Sequence, residues 1–341
     1  MKIWFDILTP KQLLFFGPMV QKLDKNHKIL CTSRNYGQVV DLAKIKHVDL
    51  LLVGRHGGSG RKEKLIASTQ RVDRLTEIIS KFSPDLVISF CSPEASRVAF
   101  GLGIKHVVFS DSPHAEAVMR LALPFAQKLL IPWVIPKEEF VKYGISKKDI
   151  SQYRAIDAAT IVKERSNAKP FKVDRQRKTI VIRLEESAAA YALGKTTISN
   201  EIVSEFSKEG KKYNVIVLSR YKPQTDKIRK EFGSKVKIMG KVVDGKSILD
   251  VTDLFIGSGG TMTAEAALMG IPTISYDAVP NHIEKYLVKS GLVKRETNAR
   301  KILLVAKKML AKGSDNKIKA QKIVNSMEDP FAKLMSVIKT L

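Results

Sequence analysis

The stretch that decides the fold is Gly257-Ser258-Gly259-Gly260-Thr261-Met262-Thr263-Ala264-Glu265, which follows residues 253–256 (Asp-Leu-Phe-Ile), apolar after the aspartate. An apolar run, a glycine turn and an alanine-rich segment predict a β-strand, a tight turn and the start of an α-helix. Glycine lets backbone N–H groups approach a ligand closely, and the amino terminus of a helix offers unpaired donors and partial positive charge. The stretch therefore predicts a phosphate site.

Side chains in the same stretch extend this prediction to a nucleotide. Gly259, Gly260 and Thr261 are expected to hold a diphosphate, and Ser258 can add a hydroxyl donor. Glu265 falls in the first turns of the helix, where it can accept hydrogen bonds from two ribose hydroxyls. The structural alternative is that the glycines only allow close packing and that the glutamate favours the helix dipole.

A dinucleotide-binding fold is another interpretation of the turn. Asp277 ends the next predicted strand, at about the spacing of roughly 20 residues expected for a ribose-binding acid. Met262, however, stands where the third glycine of that motif belongs. Nicotinamide or flavin binding is therefore the minority interpretation, and no cofactor is expected.

Short apolar runs alternate with amphipathic stretches along the whole chain, which is typical of parallel strands joined by crossover helices. Runs of continuous rather than alternating apolar residues predict strands that are covered on both faces. The predicted strands are residues 2–8, 28–33, 50–54, 85–90, 106–110, 179–184, 214–218, 236–239, 253–256 and 272–276. The predicted class is α/β, with two doubly wound parallel sheets.

A charged stretch over residues 146–176 separates the two series of strands, and Pro170 precedes the point where the pattern restarts. A chain of 341 residues is long enough for two ordinary domains. We therefore expect one domain over residues 1–170 and a second over residues 171–341.

Composition restricts the partners and the compartment. The formal charge is +25, from 59 Lys and Arg against 34 Asp and Glu, which favours an anionic partner. No stretch approaches the roughly 20 apolar residues that span a bilayer, and the opening residues lack a secretory signal, so a cytoplasmic protein is expected. The only cysteines, Cys31 and Cys91, cannot form a disulfide framework or a Cys-based zinc site. The sequence also lacks Asp-x-Asp and His-Glu-x-x-His, so it demands no metal.

The glycine turn carries a family resemblance. Residues 258–274 (Ser-Gly-Gly-Thr-Met-Thr-Ala-Glu-Ala-Ala-Leu-Met-Gly-Ile-Pro-Thr-Ile) resemble the donor-nucleotide motif of GT-B enzymes, which include UDP-N-acetylglucosamine 2-epimerases and the N-acetylglucosaminyltransferase of peptidoglycan synthesis. Residues 1–10, 56–59 and 109–117 resemble the mostly archaeal family called domain of unknown function 354, and that similarity covers nearly the whole chain.

The resemblance implies an architecture and a role for one residue. It implies two Rossmann-like domains that face each other across a cleft, with the ligand in the cleft. It also implies that a last helix over residues 330–341 packs back on the first domain. In GT-B enzymes the glutamate of the motif holds ribose, and Glu265 is the matching position.

Residues 114–120 (His-Ala-Glu-Ala-Val-Met-Arg) are similar to the His-x-Glu-Ala-x-x-Arg segment of the 2-epimerases and follow a predicted strand. We expect His114 to transfer a proton beside Asp111 and Glu116, because imidazole titrates near neutrality. The alternative is a helix cap with a structural histidine. Glu94 is a loose match for a further acid that the epimerases need.

Other candidates also follow predicted strands. Arg183 and Arg220 could neutralise phosphate bidentately or simply face solvent. A glycine-rich loop could bind phosphate or an acceptor, or be a plain surface loop. That loop consists of His56, Gly57, Gly58 and Ser59.

The chain departs from the family near its start. The family commonly has Asn-Pro-Pro-His after the initial Asp-Ile, whereas this chain has residues 8–12 (Leu-Thr-Pro-Lys-Gln). The histidine is therefore missing, and no histidine-borne catalysis is predicted for that loop.

The leading hypothesis is a GT-B glycosyltransferase whose substrate is a nucleoside-diphosphate sugar, expected to be UDP-linked, with His114 or Asp111 taking the acceptor proton. A non-hydrolysing UDP-N-acetylglucosamine 2-epimerase is the alternative enzyme, favoured by His114, Glu116 and Arg120. A binding protein for nucleic acid or an anionic membrane is favoured by charge alone. The sequence has no RNA-binding aromatic motif, so nucleic acid is not expected. An apolar stretch over residues 121–136 with Trp133 could contact a membrane, although core helix and strand fit it better.

Overall fold

A computed structural model describes residues 1–35, 37–58, 60–164, 171–185, 197–219, 222–239, 244–276, 280–312 and 316–341. The chain divides into two compact units. The first consists of Met1–Thr160 together with Glu328–Leu341, and the second is Ile161–Met327. The chain thus passes from the first unit to the second before Pro170, and it returns to the first unit with the last helix.

The first unit is a seven-stranded sheet in which every pairing is parallel, with the order β3-β2-β1-β4-β5-β6-β7. Its strands are β1 (Lys2–Asp6), β2 (Lys28–Asn35), β3 (Leu51–Arg55), β4 (Leu86–Ser89), β5 (Lys105–Phe109), β6 (Lys128–Pro132) and β7 (Ile150–Tyr153). Its helices are α1 (Pro10–Leu23), α2 (Gly37–Lys46), α3 (Arg61–Phe82), α4 (Pro93–Gly101), α5 (Glu116–Ala122), α6 (Glu138–Val141) and the start of α7 (Asp157–Lys163).

The second unit contains a six-stranded parallel sheet with the order β10-β9-β8-β11-β12-β13. The strands are β8 (Lys178–Arg183), β9 (Tyr213–Leu218), β10 (Lys237–Met239), β11 (Leu254–Gly257), β12 (Thr273–Ser275) and β13 (Val293–Arg295). The helices are α8 (Ile198–Lys208), α9 (Lys222–Phe232), α10 (Gly245–Leu249), α11 (Thr261–Leu268), α12 (His282–Lys289), α13 (Ala299–Lys312) and α14 (Asn316–Asn325). The last helix, α15 (Pro330–Ile338), belongs to the first unit. The predicted α/β class with two doubly wound parallel sheets is confirmed.

The strand order places one switch point in each sheet, where consecutive crossovers run in opposite directions. The switch lies between β1 and β4 in the first sheet and between β8 and β11 in the second. Open parallel sheets bind ligands beyond the carboxyl ends of strands at such points. The glycine turn follows β11 directly, so it stands at the switch point of its sheet.

Helix α1 shows how the local sequence positions one functional side chain. Thr9 is its N-cap and accepts a hydrogen bond from Gln12 N at 3.3 Å, while Pro10 provides a fixed φ in the first turn. The helix buries Phe15 and Phe16 against β1 and β5, which at roughly 1.5–3 kcal/mol per large apolar side chain anchors it to the sheet. Lys11 is thereby held in the first turn, at the carboxyl edge of the sheet.

Three strands were not predicted as such. β7 falls in the charged stretch that separates the two series, and β13 is an edge strand with a single buried residue, Val293. β6 lies in the apolar stretch 121–136, where its core position agrees with the core interpretation. Trp133 is only partly exposed. Within the described ranges, every helix is too short or too polar to cross a bilayer.

Candidate functional site

The glycine turn is open to solvent at Gly260, whereas Gly257 and Gly259 are buried. Gly259 and Gly260 both have φ +80°, a left-handed conformation that glycine adopts without strain. Gly260 is the N-cap of α11 and is exposed, while Ser258 and Thr261 are half-buried. Amides in the first turn of a helix have no acceptor within the helix, so this end can donate to an anion.

Close packing underneath the turn also depends on glycine. A Cβ added to Gly257 would lie 2.7 Å from both Phe255 Cε1 and Thr263 Oγ1. Thr263 Oγ1 in turn donates to Gly259 O at 2.9 Å and fixes the turn from below. Gly257 is therefore needed for close packing, as the structural alternative predicts. Gly260, in contrast, lies at the surface.

Glu265 lies one helical turn after Thr261, so the two side chains share a face of α11. The glutamate is buried, with 7% of its surface exposed, although a carboxylate ordinarily stays in water. Its Oε2 lies 4.0 Å from the position that a Cβ on Gly245 would occupy, at the start of α10. A buried carboxylate one helical turn beyond a helix start that is exposed at Gly260 can accept hydrogen bonds from a hydroxylated ligand.

The structure also brings Arg183 to the turn. Arg183 pairs in register with Gly257 across β8 and β11, so the two residues are neighbours at the switch point. Its side chain is half-buried. Arg220 lies outside the described residues, as does Asp277 of the dinucleotide interpretation.

The sequence analysis missed a buried carboxylate at this edge. Glu185 follows β8 and is 5% exposed. Tyr276 Oη lies 3.2 Å from Glu185 Oε2 and 2.7 Å from Arg183 O, and Gln224 Nε2 donates to Glu185 O at 2.9 Å. The signal in the sequence was an acidic residue directly after an apolar strand.

In the first unit, Asp111 takes part in a cluster that the sequence analysis did not predict. Lys11 Nζ forms ion pairs with Asp111 and, at 2.8 Å, with Asp157 Oδ2. Tyr153 Oη donates to Asp157 Oδ1 at 2.5 Å, and the Lys11 ammonium lies 4.3 Å from the centre of the Phe90 ring. Three strand ends therefore converge on one ammonium group, because Lys11 follows β1, Asp111 follows β5 and Asp157 follows β7.

The cluster carries two carboxylates against one ammonium. Burial raises the pKa of Asp157 to about 6; the Lys11 charge opposes this shift and the Asp111 charge reinforces it. Burial also disfavours ionised Asp111, but the charge and hydrogen bond of Lys11 outweigh it and hold the pKa of that carboxyl below its usual range. Burial works against ionised Lys11 too, yet the two carboxylates raise its pKa. One carboxylate is thus held ionised while the other titrates closer to neutrality.

His114 and Glu116 do not join this cluster among the described contacts. Both side chains are exposed, and Glu116 forms an ion pair with Arg120 at 2.8 Å, with more than 60% of each side chain exposed. Their positions beyond β5 agree with the expected edge. An exposed pair of this kind contributes little to stability, and it leaves both groups accessible to a ligand.

At the switch point of the first sheet, Asp6 forms a fully buried network. Arg71 donates to both of its carboxylate oxygens, at 3.1 and 2.5 Å, and Ser92 and Thr32 each donate at 2.6 Å. Burial opposes ionisation, but Arg71 and these hydrogen bonds lower the pKa of Asp6. Glu94 lies at its margin, 3.7 Å from Arg71 Nη1.

The loop that begins at His56 is folded against α3. Gly58 N donates to His56 Nδ1 at 3.0 Å, and Gly58 has φ +74°. A Cβ on Gly57 would lie 2.6 Å from Lys64 Cα, so this glycine allows a close approach to the helix. Burial first, and then the positive charges of Arg34 and Lys64, lower the pKa of His56. Ser59 lies outside the described residues.

Metal ligands do not converge in the part of the chain that the structure describes, since it contains no group of three or more His, Cys, Asp or Glu side chains arranged to hold an ion.

Solved structures with the same fold are sugar epimerases and glycosyltransferases by name. A UDP-GlcNAc 2-epimerase from Neisseria meningitidis, bound to UDP-GlcNAc, matches with TM-score 0.74 at 16% identity, covering 99% of this chain and 100% of its own. The UDP-GlcNAc 2-epimerase of Methanocaldococcus jannaschii, in complex with UDP-GlcNAc and UDP, has TM-score 0.67 at 17% identity over 95% and 99%. The spinosyn forosaminyltransferase SpnP has TM-score 0.63 at 14% identity over 100% and 99%. The chain therefore has the GT-B fold that epimerases and glycosyltransferases share.

Sequence comparison assigns the family. An uncharacterised protein of Methanocaldococcus jannaschii is 29% identical over 313 residues, which cover 88% of this chain and 89% of that protein. Residues 1–340 match the family described as Protein of unknown function (DUF354). The chain belongs to the DUF354 family.

Proposed function

We propose that this protein is a glycosyltransferase that uses a nucleoside-diphosphate sugar, expected to be UDP-linked. The observation that carries the proposal is the opening of α11, where exposed Gly260 and half-buried Thr261 present helix amides one turn before a buried glutamate, Glu265. In this proposal the amides hold the diphosphate, Glu265 holds the ribose, and Arg183 neutralises phosphate charge. The leaving diphosphate is then stabilised by backbone dipoles and arginine rather than by a required metal.

Proton transfer is assigned to the first unit. Transfer to a hydroxyl acceptor needs a group that takes its proton, and a carboxylate that is held ionised can do so. We assign this role to Asp111, with Asp157 and Lys11 as its ion-paired neighbours. His114 is the second candidate acceptor of the proton, since it lies exposed three residues further along the same loop.

A 2-epimerase is the second candidate, and the named epimerases with the same fold favour it. It would use Glu116 and Arg120 in the chemistry. Against it, these two groups already neutralise each other in an exposed ion pair. The transferase is therefore preferred.

Isothermal titration with UDP tests the nucleotide site. Glu265→Gln should weaken UDP binding by roughly 10- to 100-fold, because hydrogen bonds to a charged group contribute about 1.5–3 kcal/mol. Glu284→Gln is the matched control, since Glu284 is also buried (5% exposed) but accepts from Ser275 Oγ on another strand. Equal UDP affinity in the wild type and Glu265→Gln would remove the ribose assignment.

The reaction type is separated by product analysis. An epimerase converts UDP-N-acetylglucosamine without an acceptor, and NMR of the sugar distinguishes the 2-epimer. We expect no epimer in the absence of an acceptor. Formation of the epimer by wild type, and its loss in Glu116→Gln, would favour the second candidate.

A further inference from the structure

A basic groove lies at the amino-terminal edge of the second sheet, where β8, β9 and β10 begin. It has a volume of about 650 Å³ and is formed by the segment before β8, the end of α8, the turn into β9 and the short 3-10 helix Gly233–Lys235. Six cations line it: Lys172, Arg177, Lys208, Lys211, Lys235 and Lys237. Asp174 is the one carboxylate in the lining.

This imbalance exceeds the general charge excess of the protein. The whole chain has 59 cations for 34 carboxylates, whereas this groove has six for one. A second groove of the same unit, between α8, α9 and α13, is lined by three cations and three carboxylates. That balanced set consists of Lys227, Arg300 and Lys307 with Glu201, Glu205 and Glu231. A uniformly basic surface would not concentrate charge in one groove and balance it in the other.

Hydrogen bonds fix the frame of the basic groove. Arg177 Nη1 donates to Gly210 O at 2.9 Å, and Arg177 Nε pairs with Asp174 at 2.8 Å. Asn214 Nδ2 donates to Asp174 O at 2.7 Å and to Arg177 O at 3.0 Å. The segment before β8 is thereby tied to the start of β9. The frame of the groove is therefore held by the side chains of Arg177 and Asn214.

The charge of several lysines is not neutralised by the protein. In the described ranges, no carboxylate lies within 4.0 Å of the ammonium groups of Lys172, Lys211 or Lys235. Lys237 donates to a carbonyl, Lys172 O, at 3.1 Å, and its ammonium lies 4.3 Å from the Phe171 ring centre. Gathering unpaired like charges costs free energy, which an anionic ligand would offset.

Helix dipoles explain only part of this arrangement. Lysines near the carboxyl ends of helices interact favourably with the dipole, and this reason suffices for Lys208 in α8 and Lys235 after α9. It does not explain Lys172 or Lys237, which precede or begin strands. The turn at Gly210 packs against the backbone of Lys235, since a Cβ on Gly210 would lie 3.4 Å from Lys235 O.

We propose that the basic groove binds a small oligophosphate anion, at a site distinct from the glycine turn. The strands are parallel, so the groove at their amino ends and the turn at the carboxyl end of β11 lie on opposite edges of the sheet. A strand of six residues separates the edges by roughly 20 Å. A concave volume of this size fits a few phosphate groups, whereas a membrane surface needs a flat or convex face. The proposal does not depend on the proposed function.

Titration with sodium triphosphate tests the site, with backbone amide chemical shifts of Gly210 and Asn214 reporting its location. Lys211→Glu/Lys235→Glu should raise the Kd measured at these amides at least about tenfold, because each lost charge-assisted hydrogen bond costs roughly a factor of ten. Lys227→Glu/Arg300→Glu is the matched control, with the same change in net charge in the balanced groove. It should change the Kd less than about twofold, which long-range attraction alone can cause.

Three results would overturn the proposal. Triphosphate could leave the shifts of Gly210 and Asn214 unchanged at low salt. The two double variants could weaken binding equally, which would mean that only net charge matters. Finally, the wild type could sediment with vesicles of phosphatidylcholine and phosphatidylglycerol, and Lys211→Glu/Lys235→Glu could fail to do so. If neither protein also bound triphosphate, the groove would be a membrane-binding surface instead. Thermal unfolding of each variant verifies that it is folded.

Discussion

Compared with the wild type, the Asp157→Asn variant should become more stable as the pH rises. The Asp157 side chain is 1% exposed, and its pKa is raised to about 6 by burial, with Lys11 opposing and Asp111 reinforcing the shift. An aspartate in the unfolded chain has its ordinary pKa of 3.8. The folded protein therefore keeps this proton where the unfolded chain has lost it. The stability that the group contributes is complete below about pH 4 and is lost as the pH rises through 6.

The magnitude follows from the difference between the two pKa values. A shift from 3.8 to about 6 corresponds to about 3 kcal/mol at about 1.36 kcal/mol per unit. About half of this falls between pH 5 and pH 8, so the variant should gain about 1.5 kcal/mol on the wild type across that range. For a unit of this size the gain corresponds to roughly 3–6 °C in Tm.

Differential scanning fluorimetry of both proteins at pH 5, 6, 7 and 8 measures this gain. Asp149→Asn is the control, because Asp149 is also paired with a lysine, Lys128, but about a quarter of each side chain is exposed. Its Tm difference from the wild type should be small and constant over the range. A difference for Asp157→Asn that is equally constant would show that Asp157 is ionised throughout, and the account of the cluster would be wrong.

Three other changes probe single contacts in the two units. Arg71→Met should destabilise the first unit by about 3–5 kcal/mol in urea unfolding, because it leaves Asp6 buried without its charge partner. Adding Asp6→Asn to this variant should recover part of the lost stability. Additive losses of stability in the double variant would contradict the pairing of Arg71 with Asp6. Gly257→Ala should cost the second unit about 1–3 kcal/mol in the same assay, because its Cβ would overlap two packed side chains; unchanged stability would mean that the turn can relax. In an NMR titration His56 should show a pKa below its ordinary value, and Lys64→Met should raise it; no change in Lys64→Met would exclude the charge effect.

Much of the fold was predictable because parallel strands buried on both faces leave a local signal. Continuous apolar runs such as 86–89 and 254–256 can be recognised as strands from their own residues, without knowing which strands pair with them. β7 could not be recognised, since only Ile150 and Tyr153 of its four residues are buried, and the flanking segments are charged. An edge strand of this length is identified by the strand that pairs with it, which is not local information.

The candidate site, too, could be predicted from the sequence only in part. The glycine turn could be predicted because its residues are consecutive in the sequence and glycine is the residue type that a tight turn favours. The cluster of Lys11, Asp111 and Asp157 joins the ends of three strands that are far apart in sequence. Only Asp111 had a local signal. Lys11 was noted as a departure from the family pattern, and its ion pairs depend on the sheet order.

The return of α15 to the first unit affects how the chain can fold during synthesis. The first unit is discontinuous, because its last segment, Glu328–Leu341, is translated after the whole of the second unit. At roughly 5–20 residues per second, a ribosome needs on the order of ten seconds or more to deliver that segment. Until then the surface that α15 covers has no partner, so the nascent first unit depends on the second unit being made before it can close its own core.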